Sequence, residues 1–440
     1  MKIDSLEKIE YVPLNEWDEN IIKNEKYKQE YSEVCTPFKI AIELVDFLPM
    51  EILSTPLKKF LDAGCGCGNL SIVLYKKLYE SILSENKRET ILNVIHLIDI
   101  NKYRLDELHD LLPCKNIFNI DLLKTSHLEM YDVIICNPPF IIDKVTVWPD
   151  FMKKCMNMIN NAGYLLIIIP SIWMKPQHEM FEYITTYQIH KLKCLKNNEA
   201  NKLFNGDART PMCYMLIQKI PKSHSTLVYD NMLKKYIEYD IENMPIPMYI
   251  PYLIKRIIPY VKRIGSLKDE IQKTNCPSKS VIINNSYSDV CMYHNIKTCK
   301  ISKELIINYS NKPLAYYDKQ KIVLANKMYG IPFYDKNGKY GISTRDNYVY
   351  VNNDPIKCNR IYEYLNCELI YMIYESTRYR MGYLEKYAFE FIPNILNMNI
   401  DLIVDDNIYK VFNIESREIS KIKEYISRTK IKSREIFTCI

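Results

Sequence analysis

Two short stretches of this chain hold residues whose types and spacing suit chemistry on a small ligand. The first is Asp62-Ala63-Gly64-Cys65-Gly66-Cys67-Gly68, directly after the apolar pair Phe60-Leu61. The chain has only 10 glycines in 440 residues, and three of them fall at alternate positions here. Alternating glycines let the backbone approach a bound ligand closely where a strand turns into a helix. The spacing D-x-G-x-G-x-G differs from the dinucleotide pattern G-x-G-x-x-G, and no Lys-Ser/Thr follows as in a P-loop. Taken alone, the glycines also fit a nucleotide site or a turn made for packing. The second stretch ends the apolar run from Tyr131 in Asn137-Pro138-Pro139-Phe140. Two prolines fix the backbone and remove N–H donors, which leaves the Pro138 carbonyl and the Asn137 side-chain oxygen as acceptors. Together they suit both hydrogens of an exocyclic amine, with Phe140 stacked on the ring that carries it. Such a site needs no strong base, because the amine can lose its proton after in-line attack; positioning and electrostatics carry the rate. Asp99 and Asp121 each close a further apolar run. A carboxylate at the first position suits the two hydroxyls of a ribose. At the second it suits an adenine amino group. Either residue alone reads also as a helix cap.

These groups converge only if several strands end on one edge of a sheet. From Lys59 to about Lys219, short apolar runs alternate with amphipathic stretches. The spacing predicts strands at Lys58–Gly64, Val94–Ile100, Asn116–Leu123, Tyr131–Phe140 and Gly163–Pro170, with helices over 70–83, 101–112 and 151–160. That alternation indicates an α/β fold, a doubly wound and mainly parallel sheet whose strand C-termini share one edge. The rhythm changes after Pro221. Residues 221–250 are polar and proline-dotted and read as a linker or wrapping segment. Beyond them, Asn337-Gly338 between alternating aromatics predicts a hairpin over Ile331–Thr344. A helical stretch around Leu365–Tyr379 and a basic helix near Ser416–Ile436 complete an α+β half.

The glycine loop resembles motif I of the S-adenosylmethionine-dependent methyltransferases. The Asn137–Phe140 corner resembles motif IV of amino-methyltransferases, whose substrates are adenine N6 or a glutamine amide. Upstream, Ser32–Pro49 resembles motif X of the gamma-type adenine-N6 DNA methyltransferases, with Thr36 and Pro37 in the element that lies against the methionine part of the cofactor. Downstream, Phe204 is similar to the aromatic that stacks on a flipped adenine opposite Phe140. Residues 321–351 and 365–394 look like the target-recognition domain of type I and type IIG modification enzymes.

The resemblance implies a Rossmann-like catalytic domain over 1–220 and an α+β target-recognition domain over 221–440. It implies an adenine-N6 DNA methyltransferase that uses S-adenosyl-L-methionine and flips its adenine out of double-stranded DNA. Cofactor contacts would come from Thr36, Pro37, Asp62, Gly64, Gly66, Gly68, Asp99 and Asp121. Catalytic contacts would come from Asn137, Pro138, Pro139 and Phe140, with Phe140 and Phe204 as the base-stacking pair. A restriction–modification setting would add a separate restriction endonuclease as partner, since the chain shows no nuclease motif. The first motif departs from the family's usual Asp-Pro-Ala-Cys-Gly-Ser-Gly, which weakens the subfamily reading and leaves the cofactor reading untouched. An RNA adenine methyltransferase, a protein glutamine methyltransferase and a non-catalytic DNA-binding subunit are the alternatives.

Composition sets the frame for these readings. Hydrophobic residues make up 48% and charged residues 25%, which excludes a disordered or fibrous chain. No run approaches the ~18 apolar residues of a membrane helix, and the first thirty residues hold no signal-peptide core, so an intracellular protein is expected. Fourteen cysteines without a paired framework read as reduced thiols. Cys276, Cys291, His294 and Cys299 match no common zinc spacing, and no metal is expected. The formal charge of +6 hides an asymmetry. Residues 1–150 hold 17 basic against 25 acidic side chains, whereas residues 251–350 hold 17 against 7. A basic second half suits a polyanion. The basic C-terminal stretch after Ser416 reads rather as a solvated helix.

Overall fold

In the computed structural model, residues 5–16, 30, 33–126, 129–300, 302–327, 330–380 and 383–428 are described. The chain divides into two compact units, residues 1–229 with 236–242, and residues 230–235 with 243–440.

The first unit is built on one nine-stranded sheet. Its strands are β1 (Phe60–Ala63), β2 (Ile95–Asp99), β3 (Asn116–Asn119) and β4 (Tyr131–Cys136), then, after the short hairpin β5 (Ile141–Ile142) and β6 (Val145–Thr146), β7 (Ile159–Pro170), β8 (Tyr187–Leu195), β9 (Met212–Pro221), β10 (Thr226–Asp230) and β11 (Lys235–Tyr239). The order across the sheet is β11-β10-β8-β9-β7-β4-β1-β2-β3. From β3 to β7 every pairing is parallel, and β9 then runs antiparallel to both β7 and β8. The five strands expected from the sequence are β1, β2, β3, β4 and β7. In β1, β2 and β4 the apolar runs are near-continuous because central parallel strands are covered on both faces; all four residues of β1 are buried, whereas β3 is the edge strand and none of its four residues is buried. The chain leaves β1 toward β2 and β3, then returns to β4 on the other side of β1. That reversal opens a crevice at the C-terminal ends of β1 and β4, the usual ligand position in such sheets.

Two local devices shape the crevice. Gly68 (φ 80°) caps the helix Asn69–Ser81 in a left-handed conformation, and a Cβ there would overlap the Leu108 methyl carbons of the helix Lys102–Leu111. Asn101 caps that second helix, its side chain accepting from the Tyr103 N–H at 3.1 Å. The expected linker at 221–250 is corrected: this segment supplies β10 and β11, which extend the first sheet. Its prolines fall at the end of β9 and beyond β11, so the ladder positions between them keep their N–H donors.

The second unit is α+β. One four-stranded sheet has the order β12-β19-β16-β17, formed by Ile271–Lys273 (β12), Asn347–Val351 (β19), Lys321–Ala325 (β16) and Pro332–Asp335 (β17). The other has the order β13-β15-β14-β18, formed by Ile283–Asn284 (β13), Leu305–Ser310 (β15), Tyr293–Cys299 (β14) and Gly341–Ile342 (β18). The hairpin expected around Asn337-Gly338 is not formed. β17 pairs with β16, and β18 runs parallel to β14 in the other sheet. The Asp335 carboxylate is the reason. It accepts from Lys339 N and Tyr340 N, each at 3.0 Å, and is ion-paired with the fully buried Lys321, so the turn becomes a capped crossing between sheets. Of the helical stretch expected around 365–379, Glu368–Glu375 is helical, and a separate helix, Pro355–Leu365, ends where that stretch begins. The final helix covers Ser416–Arg428, and residues 429–436 of the expected helix lie outside the described residues.

Candidate active site

A cleft of about 750 Å³ opens at the C-terminal edge of the first unit's sheet. It brings together ten of the residues singled out by sequence: Thr36, Gly64, Gly66, Asp99, Asp121, Asn137, Pro138, Pro139, Phe140 and Phe204. Pro37, Asp62 and Gly68 are outside its lining. Pro37 is buried at the start of the helix Phe38–Val45. Gly68 serves the packing described above.

Asp62 is fully buried behind the glycine loop. Its Oδ2 accepts from the Ser71 hydroxyl, and its Oδ1 has no partner among the described residues. Burial pushes this carboxyl up to about 7, against the pull of the Ser71 hydrogen bond; the nearby Asp99 charge raises it further. Its place is thus to brace the loop from behind.

The loop's own donors are largely used within the fold. Gly64 N and Cys65 N both donate to Ile98 O, at 2.8 and 3.0 Å, and Gly68 N donates to Cys65 O at 2.8 Å. Gly66 N donates to Asp99 Oδ2 at 2.7 Å, while Asn101 N donates to Oδ1 at 2.8 Å. A phosphate cradle offers converging free N–H groups, and this loop does not. Around it stand the carboxylates of Glu33, Asp99 and Asp121. The surroundings therefore favour hydroxyl donors and positive charge over phosphate, which argues against the nucleotide alternative. Each Asp99 oxygen can accept a second hydrogen bond besides its backbone donor. Burial is the first cause of the upward shift of Asp99, opposed by its two backbone donors. Asp121 caps its own turn through Leu123 N at 3.0 Å and pairs with Lys124 at 3.0 Å.

Asn137 joins the two halves of the cleft. Its Nδ2 donates to Val34 O at 3.1 Å and to Thr36 Oγ1 at 3.0 Å. Because a backbone carbonyl only accepts, the nitrogen must face Val34, and the side-chain oxygen is left as the acceptor. Phe140 is half-buried at the end of the corner. Phe204 lines the cleft but is only 2% exposed and belongs to the hydrophobic core.

Three residues escaped the sequence reading. Glu33 lines the cleft, clamped by the buried Arg104 guanidinium at 2.6–3.1 Å. Asn69 donates to Thr36 O at 2.7 Å, while its buried Oδ1 has no partner among the described residues. It directly follows the last glycine of the loop, which is the one signal that marked it. Arg104 gave none, being one charge in an ordinary amphipathic helix. Among the residues weighed as zinc ligands, His294 packs on Tyr309 at 5.0 Å between ring centres, and Cys291 Sγ donates to Ile282 O at 3.7 Å.

Residues 44–193 match the methyltransferase small domain family, whose members use S-adenosylmethionine as methyl donor. A curated relative, the ribosomal RNA small subunit methyltransferase C of Buchnera aphidicola subsp. Baizongia pistaciae, is 22% identical over 205 residues, covering 45% of this chain and 55% of its own. The chain thus spans about half the length of that relative. Among solved structures, the type IIG restriction endonuclease BpuSI is similar at 10% identity with a TM-score of 0.40, covering 90% of this chain and 66% of its own. The type I restriction enzyme EcoKI M protein is similar at 13% identity with a TM-score of 0.35, covering 46% of this chain and 49% of its own. The stretch that matches the methyltransferase small domain lies within the first unit, whose sheet is mainly parallel, and a further α+β unit accompanies it.

Proposed function

We propose that this protein transfers a methyl group from S-adenosylmethionine to the N6 amine of an adenine in double-stranded DNA, with the adenine turned out of the helix into the cleft. The observation that carries the reading is the Asn137 corner. An amide whose nitrogen is tied down presents its oxygen, beside the Pro138 carbonyl, at the strand end nearest the glycine loop.

The cofactor, when bound, supplies an electrophilic methyl group on a positively charged sulfur. The chain's residues do the rest. Asp99 and Asp121 accept from the ribose and the purine, Asn69 Oδ1 offers a buried acceptor, and Thr36 closes the wall under the Asn137 amide. Asn137 Oδ1 and Pro138 O accept the two N–H groups of the target amine, which aims the nitrogen lone pair. Phe140 stacks on the ring, and Phe204 forms the packed wall behind it. As the new bond forms, positive charge develops on the amine, and the two oxygens stabilise it more than they did the neutral group.

The second unit suits a polyanion. Its basic stretch adjoins a partly exposed aromatic face, where Tyr287, His294 and Tyr309 lie within 6.3 Å of one another between ring centres and Lys339 Nζ stands 5.6 Å from the Tyr340 ring. Lysines and aromatic rings in one place are the usual means of holding nucleic acid. The target-recognition role of this unit and a partner endonuclease belong to the same proposal. Among the described residues, no helix is long and apolar enough to cross a membrane. A second reading, an RNA base as substrate, is favoured by the ribosomal RNA methyltransferase relative. The test is methyl transfer from labelled cofactor to duplex DNA, single-stranded DNA, RNA and protein extract. Label on adenine N6 of duplex DNA is the expected result, and label only on protein would overturn the reading.

A further inference from the structure

The hairpin that follows the Asn-Pro-Pro-Phe corner is left without a part in the chemistry above. Ile141 pairs with Thr146 and Ile142 with Val145. Ile141 is 56% exposed, Ile142 38% and Val145 62%. Exposed apolar side chains are ordinary when scattered singly; three within five residues form a patch that implies contact. The turn between them is Asp143-Lys144, both left-handed at φ 48° and 68°. A two-residue turn of this kind normally takes Asn-Gly, and a lysine there is strained. The tight turn keeps the tip narrow, and its two charges cancel. Val147 N donates to Phe140 O at 3.1 Å and closes the base of the hairpin. Ile141, Ile142 and Val145 stand on the rim of the cleft. Arg209, an exposed guanidinium, also lines it.

We infer that the hairpin Ile141–Thr146 is a wedge that enters the stack of a base-paired nucleic acid and fills the gap left by the target base. This rests on the proposed base-methylation reading. A narrow projection of no net charge, with Ile141, Ile142 and Val145 exposed behind its Asp143-Lys144 tip, offers apolar faces to a base stack, whose steps are ~3.4 Å apart. Apolar side chains inserted at a base step are a known means of unstacking it. Its position one residue past Phe140 places the wedge where a base would leave the helix for the cleft. Arg209 on the same rim would meet the phosphate of the extruded nucleotide. The wedge lowers the cost of extrusion, so it should matter for paired substrates and little for unpaired ones.

The test uses the full chain, wild type and the double variant Ile141→Ser, Val145→Ser, with labelled cofactor. Substrates are adenine-unmethylated plasmid DNA, native and heat-denatured, and double- and single-stranded RNA as a parallel arm. The expected result is a loss of about ten- to a hundredfold on the paired form, with about threefold or less on the unpaired form. The conservative pair Ile141→Val, Val145→Ile should keep most of the paired activity. All substituted positions are solvent-exposed, so an unchanged melting temperature is expected and checks the fold. Equal losses on paired and unpaired substrate would overturn the wedge, as would no loss on either. If wild-type protein labels nucleic acid while the ratio stays unchanged in the variant, the wedge alone fails. If wild-type protein labels only protein extract, the base-methylation reading fails with it.

Discussion

Asn137 has its two amide hydrogens committed to Val34 O and Thr36 Oγ1, and only its oxygen is left for a substrate. Asn137→Ala should therefore do two separable things. It removes an acceptor of the target amine, which should lower kcat by orders of magnitude. It also frees residues 34–36, at a cost of about 1–3 kcal/mol for unpaired buried partners, so cofactor affinity measured by calorimetry should fall about tenfold. Phe204 is expected to act first through packing. Phe204→Ala should destabilise the fold by about 3–5 kcal/mol, seen as a lower melting temperature, before any effect on turnover is read. Asp62 offers a pH signature. Its folded-state pKa of about 7 lies above that of an exposed carboxyl. As pH rises from about 4 to 7, the unfolded chain has given up this proton while the fold still holds it, so stability should fall by a few kcal/mol across that window and level off above it. In Asp62→Asn that slope should disappear from the pH dependence of the melting temperature. These behaviours were only partly legible in the sequence. Asn137 and the glycines announce themselves by neighbours in the chain, whereas Glu33 and Arg104 meet across 71 positions and have no local pattern.

Strands gave the clearest signal at the next scale. β1, β2, β4 and most of β7 are buried apolar runs, and burial on both faces is a strong local signature; β3, at the edge of the sheet, is marked only by its place in the alternation. β10 and β11 were missed because they lie outside that alternation and, being only partly buried, mix polar residues with apolar ones. The turn at Asn337-Gly338 misled for another reason. Its residues are hairpin residues, but the Asp335 carboxylate and its buried lysine decide where the chain goes next. Gly68 tests the packing of the first helix after the loop. Gly68→Ala would place a Cβ in a left-handed backbone and against Leu108. A loss of at least about 2 kcal/mol is expected by chemical denaturation. Adding Leu108→Ala should cost less in this background than in wild type, a non-additive pair. Fully additive losses would place the strain elsewhere.

For the whole molecule, the charge asymmetry becomes a salt law. If the second unit meets phosphates, the logarithm of the binding constant for duplex DNA should fall linearly with the logarithm of salt, with a slope of several units. Lys336→Gln and Lys339→Gln each remove an exposed cation from the capped crossing. Each should lower that slope by about one where its lysine meets a phosphate, with little change in the melting temperature. Unchanged slopes in both variants would move the contact surface away from this turn. The division into an acidic α/β part and a basic α+β part was readable from composition, because charge counts need no knowledge of contacts. The arrangement of two sheets in the second unit was not, since their pairings join strands far apart in the chain. The bond from Asn137 to Thr36 spans 101 positions and ties the proposed amine acceptor to the wall proposed to hold the cofactor. A ligand that steadies either end steadies the other, so the two sites share one free energy of coupling. Reciprocity then fixes a relation between two titrations: whatever factor the target base adds to cofactor affinity, the cofactor must add to the affinity for that base. Thr36→Val, which removes the hydroxyl and keeps the shape, should shrink both factors by the same amount.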